Sequence, residues 1–81
     1  MQDRIREILS SVAPLSVPID TLSDQADLYD AGLTSFASVQ LMLALESAFD
    51  VEFPEHMLTR RTFSSIAAIA DSIAELVPEH A

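Results

Sequence analysis

The chain predicts an all-α domain, a four-helix bundle with a long first loop and a short third helix. Apolar residues recur at helical spacing in three separate segments. A single glycine stands against 49% hydrophobic residues, a composition that suits packed helices better than a turn-rich β protein or disorder. Proline falls at the ends of those segments, where it stops helices.

The first helix spans about Gln2 to Val12, because Ile5, Ile8, Leu9 and Val12 share one helical face. Pro14 lacks a backbone donor and biases Ala13 away from helical angles, so the chain leaves the helix there. From Ala13 to Thr34 no period is sustained; Leu15, Val17, Ile19, Leu22 and Leu28 are scattered among prolines, aspartates and serines. So long an unstructured loop is unusual in a compact domain. Two readings accommodate it: the apolar residues tie the loop across helix ends, or Thr21 to Gln25 forms a helical turn. The second helix, Ser35 to Phe49, follows Gly32, contains no breaker, and has Thr34 or Ser35 available as its N-cap. Asp50 to Pro54 is a connector with Val51 and Phe53 turned inward. Pro54 suits the start of a short third helix, Glu55 to Thr59. The fourth helix, from about Ser64 to Val77, carries Ile66, Ile69, Ala70, Ile73 and Val77 at helical spacing, with Thr62 or Ser64 as cap and Pro78 as stop. The tail beyond is expected to fray. No repeat or low-complexity tract divides the chain, so residues 1–81 are expected to form one domain.

Thirteen acidic residues face four arginines, a formal charge of −9. This field repels nucleic acid and anionic membranes and attracts basic protein surfaces, more weakly as salt rises. With no cysteine there is neither a disulfide framework nor a thiolate metal site, which fits a reducing cytoplasm. The segment Met1 to Leu9 is charged and helical in pattern, unlike an export signal. The longest apolar runs, Leu41 to Leu45 and Ile66 to Ala70, fall far short of the roughly 20 residues of a membrane span. A soluble, cytoplasmic monomer is the expectation.

On a helical wheel the second helix has a core stripe of Leu41, Met42, Leu45, Ala48 and Phe49. Phe36, Val39 and Leu43 form a second apolar stripe nearly opposite, broken by Gln40 and Ser47. Either this helix is central and packed all round, or the second stripe is an exposed docking ridge. Ser35 stands at the head of that stripe, where serine is most often only a cap.

The context of Ser35 is Asp27-Leu28-Tyr29-Asp30-Ala31-Gly32-Leu33-Thr34-Ser35-Phe36-Ala37-Ser38-Val39-Gln40-Leu41, then Leu45-Glu46 and Phe49-Asp50-Val51-Glu52-Phe53-Pro54. This resembles the acyl carrier protein family. That family's hallmark is an aspartate, a glycine two residues on, and an aspartate-serine-leucine triplet opening a helix that ends in glutamate and phenylalanine before a connector and proline. The resemblance covers essentially the whole chain, including the long first loop and the Thr62-Phe63 opening to the last helix. It implies a four-helix bundle of acyl-carrier type. It further implies that Ser35 carries a covalent 4'-phosphopantetheine and that Asp30 and Gly32 form the turn presenting it. Thr34, Phe36, Val39, Gln40, Leu43, Glu46 and Ser47 then make the partner surface.

Implied partners are a phosphopantetheinyl transferase, a loading ligase for an acyl or aminoacyl group, and downstream transferases or synthases. The chain departs from the family in Thr34, where aspartate is usual, and in Phe36, where leucine is usual. Threonine keeps a capping oxygen but not the charge. Gln40 and Ser47 stand where carriers of fatty acid synthesis usually bear glutamates, leaving Glu46 as the main acid of that face. These differences point to a specialised carrier, aminoacyl or of secondary metabolism, and away from the housekeeping one. The implied function is to hold the cargo as a thioester and present it to enzymes, without catalysis by the chain itself.

Rival chemistry is thin. Gly32-Leu33-Thr34-Ser35 is not a hydrolase nucleophile elbow. His56 reads as an exposed helix residue and His80 lies in the tail. Asp24, Asp27 and Asp30 recur every third residue, which is not the spacing of a calcium loop, so they read as solvated loop acids and turn formers. The alternative from another class is an acidic helical interaction module that binds a basic partner through Phe36, Val39 and Leu43 without a prosthetic group.

Overall fold

A computed structural model describes residues 2–13 and 15–77. The helix stops assigned to Pro14 and Pro78, and the frayed tail with His80, lie outside the described residues. The described residues form three α-helices and two single 3-10 turns, in the order α1 (Gln2–Val12), a turn at Ile19–Thr21, α2 (Ser35–Phe49), a turn at Glu55–Met57, and α3 (Ile66–Leu76). The all-helical expectation therefore holds, but the bundle has three helices where four were expected. Glu55–Met57 winds through one 3-10 turn and stops, because Leu58 leaves at φ −87°, ψ 65°. The Thr-Arg-Arg-Thr segment beyond supplies no apolar face to extend a helix. Phe53, Met57 and Phe63 are instead buried in the common core, and the rings of Phe53 and Phe63 meet edge to face at 5.5 Å, a favoured aromatic geometry.

α1 packs against both α2 and α3. Its Ile5, Ile8 and Leu9 are buried with Leu41 and Leu45 of α2 and Ile66, Ile69, Ala70 and Ile73 of α3. Val12 and Val77 are only partly buried against this core, and Ala48, assigned to the core stripe of α2, is exposed. α3 starts two residues later than expected, because Ser65, not Thr62 or Ser64, is its cap: Ser65 Oγ accepts from Ala68 N at 3.0 Å. Ser64 Oγ turns back to donate to Arg61 O at 2.8 Å.

The long first loop is held at several points. Arg6 of α1 donates to Ile19 O at 2.9 Å and to Asp24 Oδ1 at 2.7 Å. Leu28 N donates to Ser64 O at 2.7 Å, and Ala67 N donates to Asp24 O at 2.9 Å, so the loop's carbonyls and amides complete the start of α3. Leu28 and Leu33 are buried beneath it. The anchoring reading of the loop is the one realised, through Leu15, Ile19, Leu22 and Leu28, while Val17 is exposed. The helical turn lies at Ile19–Thr21 and not at Thr21 to Gln25, where Thr21 Oγ1 bonds back to Pro18 O at 2.7 Å. Asp24 is an ion-pair partner and not merely a solvated acid.

Candidate functional site

Residues 27–33 wind into one helical turn that delivers the chain to α2. Asp27 Oδ1 accepts from Tyr29 N at 3.0 Å and Asp30 N at 3.4 Å, an Asx-type start. The turn closes when Leu33 N donates to Leu28 O at 2.9 Å and Gly32 N donates to Tyr29 O at 3.2 Å, the paired bonds of a Schellman ending with glycine in the left-handed position. Gly32 has φ +115°, and a Cβ there would lie 2.7 Å from Ser16 Oγ and 3.0 Å from Ser16 N. Both the angle and the close approach of Ser16 require glycine. Ser16 approaches because its amide and its hydroxyl both donate to Ala31 O, at 3.0 and 2.7 Å. The capping acid of this turn is thus Asp27, while Asp30 is exposed and contributes its amide.

Thr34 is the N-cap of α2: its backbone is extended and its Oγ1 accepts from Ala37 N at 3.0 Å. This leaves Ser35, the first helical residue, free of the capping role. Ser35 is exposed, and among the described residues its hydroxyl has no hydrogen-bond partner; the nearby Ser38 Oγ donates to Ser35 O at 2.7 Å. A negatively charged group esterified to that oxygen would stand beside the positive end of a fifteen-residue helix, where anionic charge is favoured.

The second apolar stripe of α2 faces solvent. Phe36 is 75% exposed, Val39 51% and Leu43 53%, with Gln40 and Ser47 also exposed beside them. Glu46 differs: it is half-buried, and its Oε2 accepts from Phe53 N at 2.8 Å. Its side chain fastens the connector back onto α2 after Asp50, which caps the helix in the left-handed region at φ 54°. α2 packs its Leu41 and Leu45 side into the core against α1, which leaves this stripe to solvent.

A groove of about 350 Å³ runs from Ser35 along the inner edge of α2, lined by Val39 and Met42 on one side and by Leu58, Arg60 and Phe63 on the other, with Tyr29 at one wall. Leu58 is 46% exposed, and the Arg60 guanidinium lies over the Tyr29 ring, 4.0 Å from its centroid. Leu58, Arg60 and Tyr29 do not stand out in the sequence as site residues: Leu58 falls in the expected third helix, Arg60 just beyond it, and Tyr29 in the first loop. The adjacent arginines of an otherwise acidic chain were the available signal. A free, exposed hydroxyl that opens onto a groove lined by both apolar and polar side chains fits a covalently tethered arm.

Comparison with known proteins gives the class. Residues 3–73 match the family described as "Phosphopantetheine attachment site", so the chain belongs to the phosphopantetheine-attachment family of carrier proteins. The arm of that family, 4'-phosphopantetheine, is accordingly its cofactor. It is 58% identical to the aminoacyl carrier protein of Agrobacterium fabrum over 73 residues, 90% of this chain and 88% of that one. Among solved structures, one of an engineered Bradyrhizobium japonicum glycine:[carrier protein] ligase complexed with a carrier protein from Agrobacterium tumefaciens and AMP matches with a TM-score of 0.88 and 57% identity, covering 91% of this chain and 99% of the matched one. Another, of the Bradyrhizobium japonicum ligase complexed with glycylated carrier protein, matches at TM-score 0.66 and 31% identity over 88% of this chain and 90% of that one.

Proposed function

We propose that the chain is an aminoacyl carrier: Ser35 bears the phosphopantetheine arm, and an amino acid:[carrier protein] ligase loads the arm with a small amino acid such as glycine. The observation that carries this is the free, exposed hydroxyl of Ser35 at the start of α2, directly beside an apolar ridge led by a Phe36 that is 75% exposed. The aminoacyl assignment is supported by the relatives, which are aminoacyl carrier proteins and ligase-bound carriers.

A phosphopantetheinyl transferase forms the bond between Ser35 Oγ and the phosphorus of coenzyme A's pantetheine-side phosphate. The hydroxyl proton departs, and adenosine bisphosphate is the leaving group. When bound, the arm supplies a thiol that holds the cargo as a thioester. The residues of the chain do the rest: Thr34 caps the helix so that Ser35 need not, Gly32 sets the path into it, and Phe36, Val39, Gln40, Leu43 and Ser47 offer the docking surface, with Thr34 and Glu46 at its ends. The chain catalyses nothing itself; tethering raises the effective concentration of one cargo at one recognisable surface. Among the described residues no helix is long and apolar enough to cross a membrane, and the cytoplasm, where ATP and coenzyme A are present, is the proposed location.

The test is intact mass of holo protein after incubation with a glycine:[carrier protein] ligase, ATP and glycine, with a fatty acid and its ligase as the parallel arm. A glycyl adduct that is absent from Ser35→Ala supports the reading. Loading with the fatty acid alone would replace the aminoacyl assignment by an acyl one.

A further inference from the structure

Arg60 lines the groove onto which Ser35 opens. Among the described residues Arg4 pairs with Glu7 at 3.3 Å and Arg6 with Asp24 at 2.7 Å, but neither Arg60 nor Arg61 has a carboxylate within pairing distance. In a chain with thirteen acids and four arginines, an arginine without an acid partner is unexpected on charge statistics alone. Arg60 is nevertheless held in place. Its guanidinium stacks on Tyr29 at 4.0 Å, and Arg60, Tyr29 and Ser35 line the same groove. A guanidinium held over a ring face can keep its N–H donors available, and among the described residues those of Arg60 meet no acceptor, so they can take the oxygens of a phosphate in a forked bond. Tyr29 is set by the same Asp27-capped turn that delivers Ser35, so one local structure fixes both the attachment oxygen and the cation.

From this juxtaposition we infer that Arg60, stacked on Tyr29, binds the phosphodiester that joins the arm to Ser35 and so lays the arm into the groove between α2 and residues 58–63. Arg60 acts as a positioning residue, and the ligand chemistry is a phosphodiester monoanion. The inference rests on the assignment of the arm to Ser35. An arm so held would lie along the part of the groove that Val39, Met42 and Leu58 line. Because Arg60 is exposed, the pairing is screened by salt.

The experiment compares wild type, Arg60→Gln and Arg60→Lys, each converted to the holo form by a transferase and checked by intact mass. The phosphorus resonance of the phosphodiester is followed from low to high salt, together with the amide shifts that separate apo from holo protein. In the wild type, attachment should move the amides of Tyr29, Val39 and Phe63, and rising salt should shift the phosphorus line. Arg60→Gln should lose the salt response and confine the amide changes to residues 34–38, while Arg60→Lys should keep part of both. Folding is read from the unperturbed amides of α1 and α3. If folded holo Arg60→Gln gives the wild-type phosphorus line, salt response and amide pattern, Arg60 does not hold the phosphodiester. Its free donors would then be left for an acidic group on a partner. If wild type accepts no arm at all, the Ser35 assignment falls and this inference with it, an outcome told apart by mass before any spectrum is taken.

Discussion

Replacing Gly32 by alanine tests whether the turn before α2 is what delivers Ser35. Two costs add. An L-residue at φ +115° is disfavoured by about 1–2 kcal/mol. The new Cβ would also lie 2.7 Å from Ser16 Oγ and 3.0 Å from Ser16 N, so Ser16 must retreat and weaken its two bonds to Ala31 O, at about 0.5–1.5 kcal/mol each. Reduced unfolded-state entropy returns about 0.5 kcal/mol. The net loss is about 2–4 kcal/mol, or a drop in Tm on the order of 10–25 °C for a domain of this size. Urea denaturation of Gly32→Ala, Ser16→Ala and the double variant separates the terms. In the Ser16→Ala background the hydroxyl clash is gone, so the penalty for Gly32→Ala should shrink by about 1 kcal/mol. A Gly32→Ala protein within about 0.5 kcal/mol of wild type would refute the argument that this glycine is required by angle and contact.

The other predictions concern α2 and its ends. Glu46→Ala removes the acceptor of Phe53 N and should cost about 1.5–3 kcal/mol, as a charge-assisted bond does, with Glu46→Gln recovering part of it in a denaturation midpoint; equal stability of all three would show that the connector does not depend on this side chain. Asp50→Gly at φ 54° relieves about 1 kcal/mol of left-handed strain and gives back about 0.5 kcal/mol in chain entropy, so the midpoint should rise slightly, and a clear fall would contradict the cap assignment. Phe36→Ser should leave stability within about 0.5 kcal/mol, since the side chain is 75% exposed, yet weaken aminoacylation at least about tenfold if the ring anchors the ligase; unchanged loading kinetics would remove Phe36 from the interface.

The parts legible in the sequence are those governed by local period and caps. α1 and α2 span the residues the apolar spacing marks, because each presents a continuous apolar face to the core. The apolar stripe of Phe36, Val39 and Leu43 was visible on a wheel, but whether it was covered depended on neighbours, which period alone does not reveal. The third helix failed for the same reason. Glu55 to Thr59 has helix-compatible residues, but burial of Met57 in the core with Phe53 and Phe63 is satisfied by a single turn. α3 is capped by Ser65 in place of the expected Thr62 or Ser64, because all three offer an oxygen, and the loop's bonds to Ser64 O and Ala67 N fix where the helix begins. The groove joins residue 35 to residues 58–63, which no local period brings together; the Arg60-Arg61 pair in an acidic chain was the one signal toward it. Glu46, read as a surface acid of the docking face, spends its carboxylate on Phe53 N.

The proposed carrier function turns on the oxygen of Ser35, and the most direct measurement is mass spectrometry of the protein taken from its own host, with fragmentation of the peptide that spans residues 34–40. A peptide heavier by one phosphopantetheine, with the ejected pantetheine fragment traced to Ser35, is the predicted result. Native protein with an unmodified Ser35, or with the arm on Ser38, would contradict it.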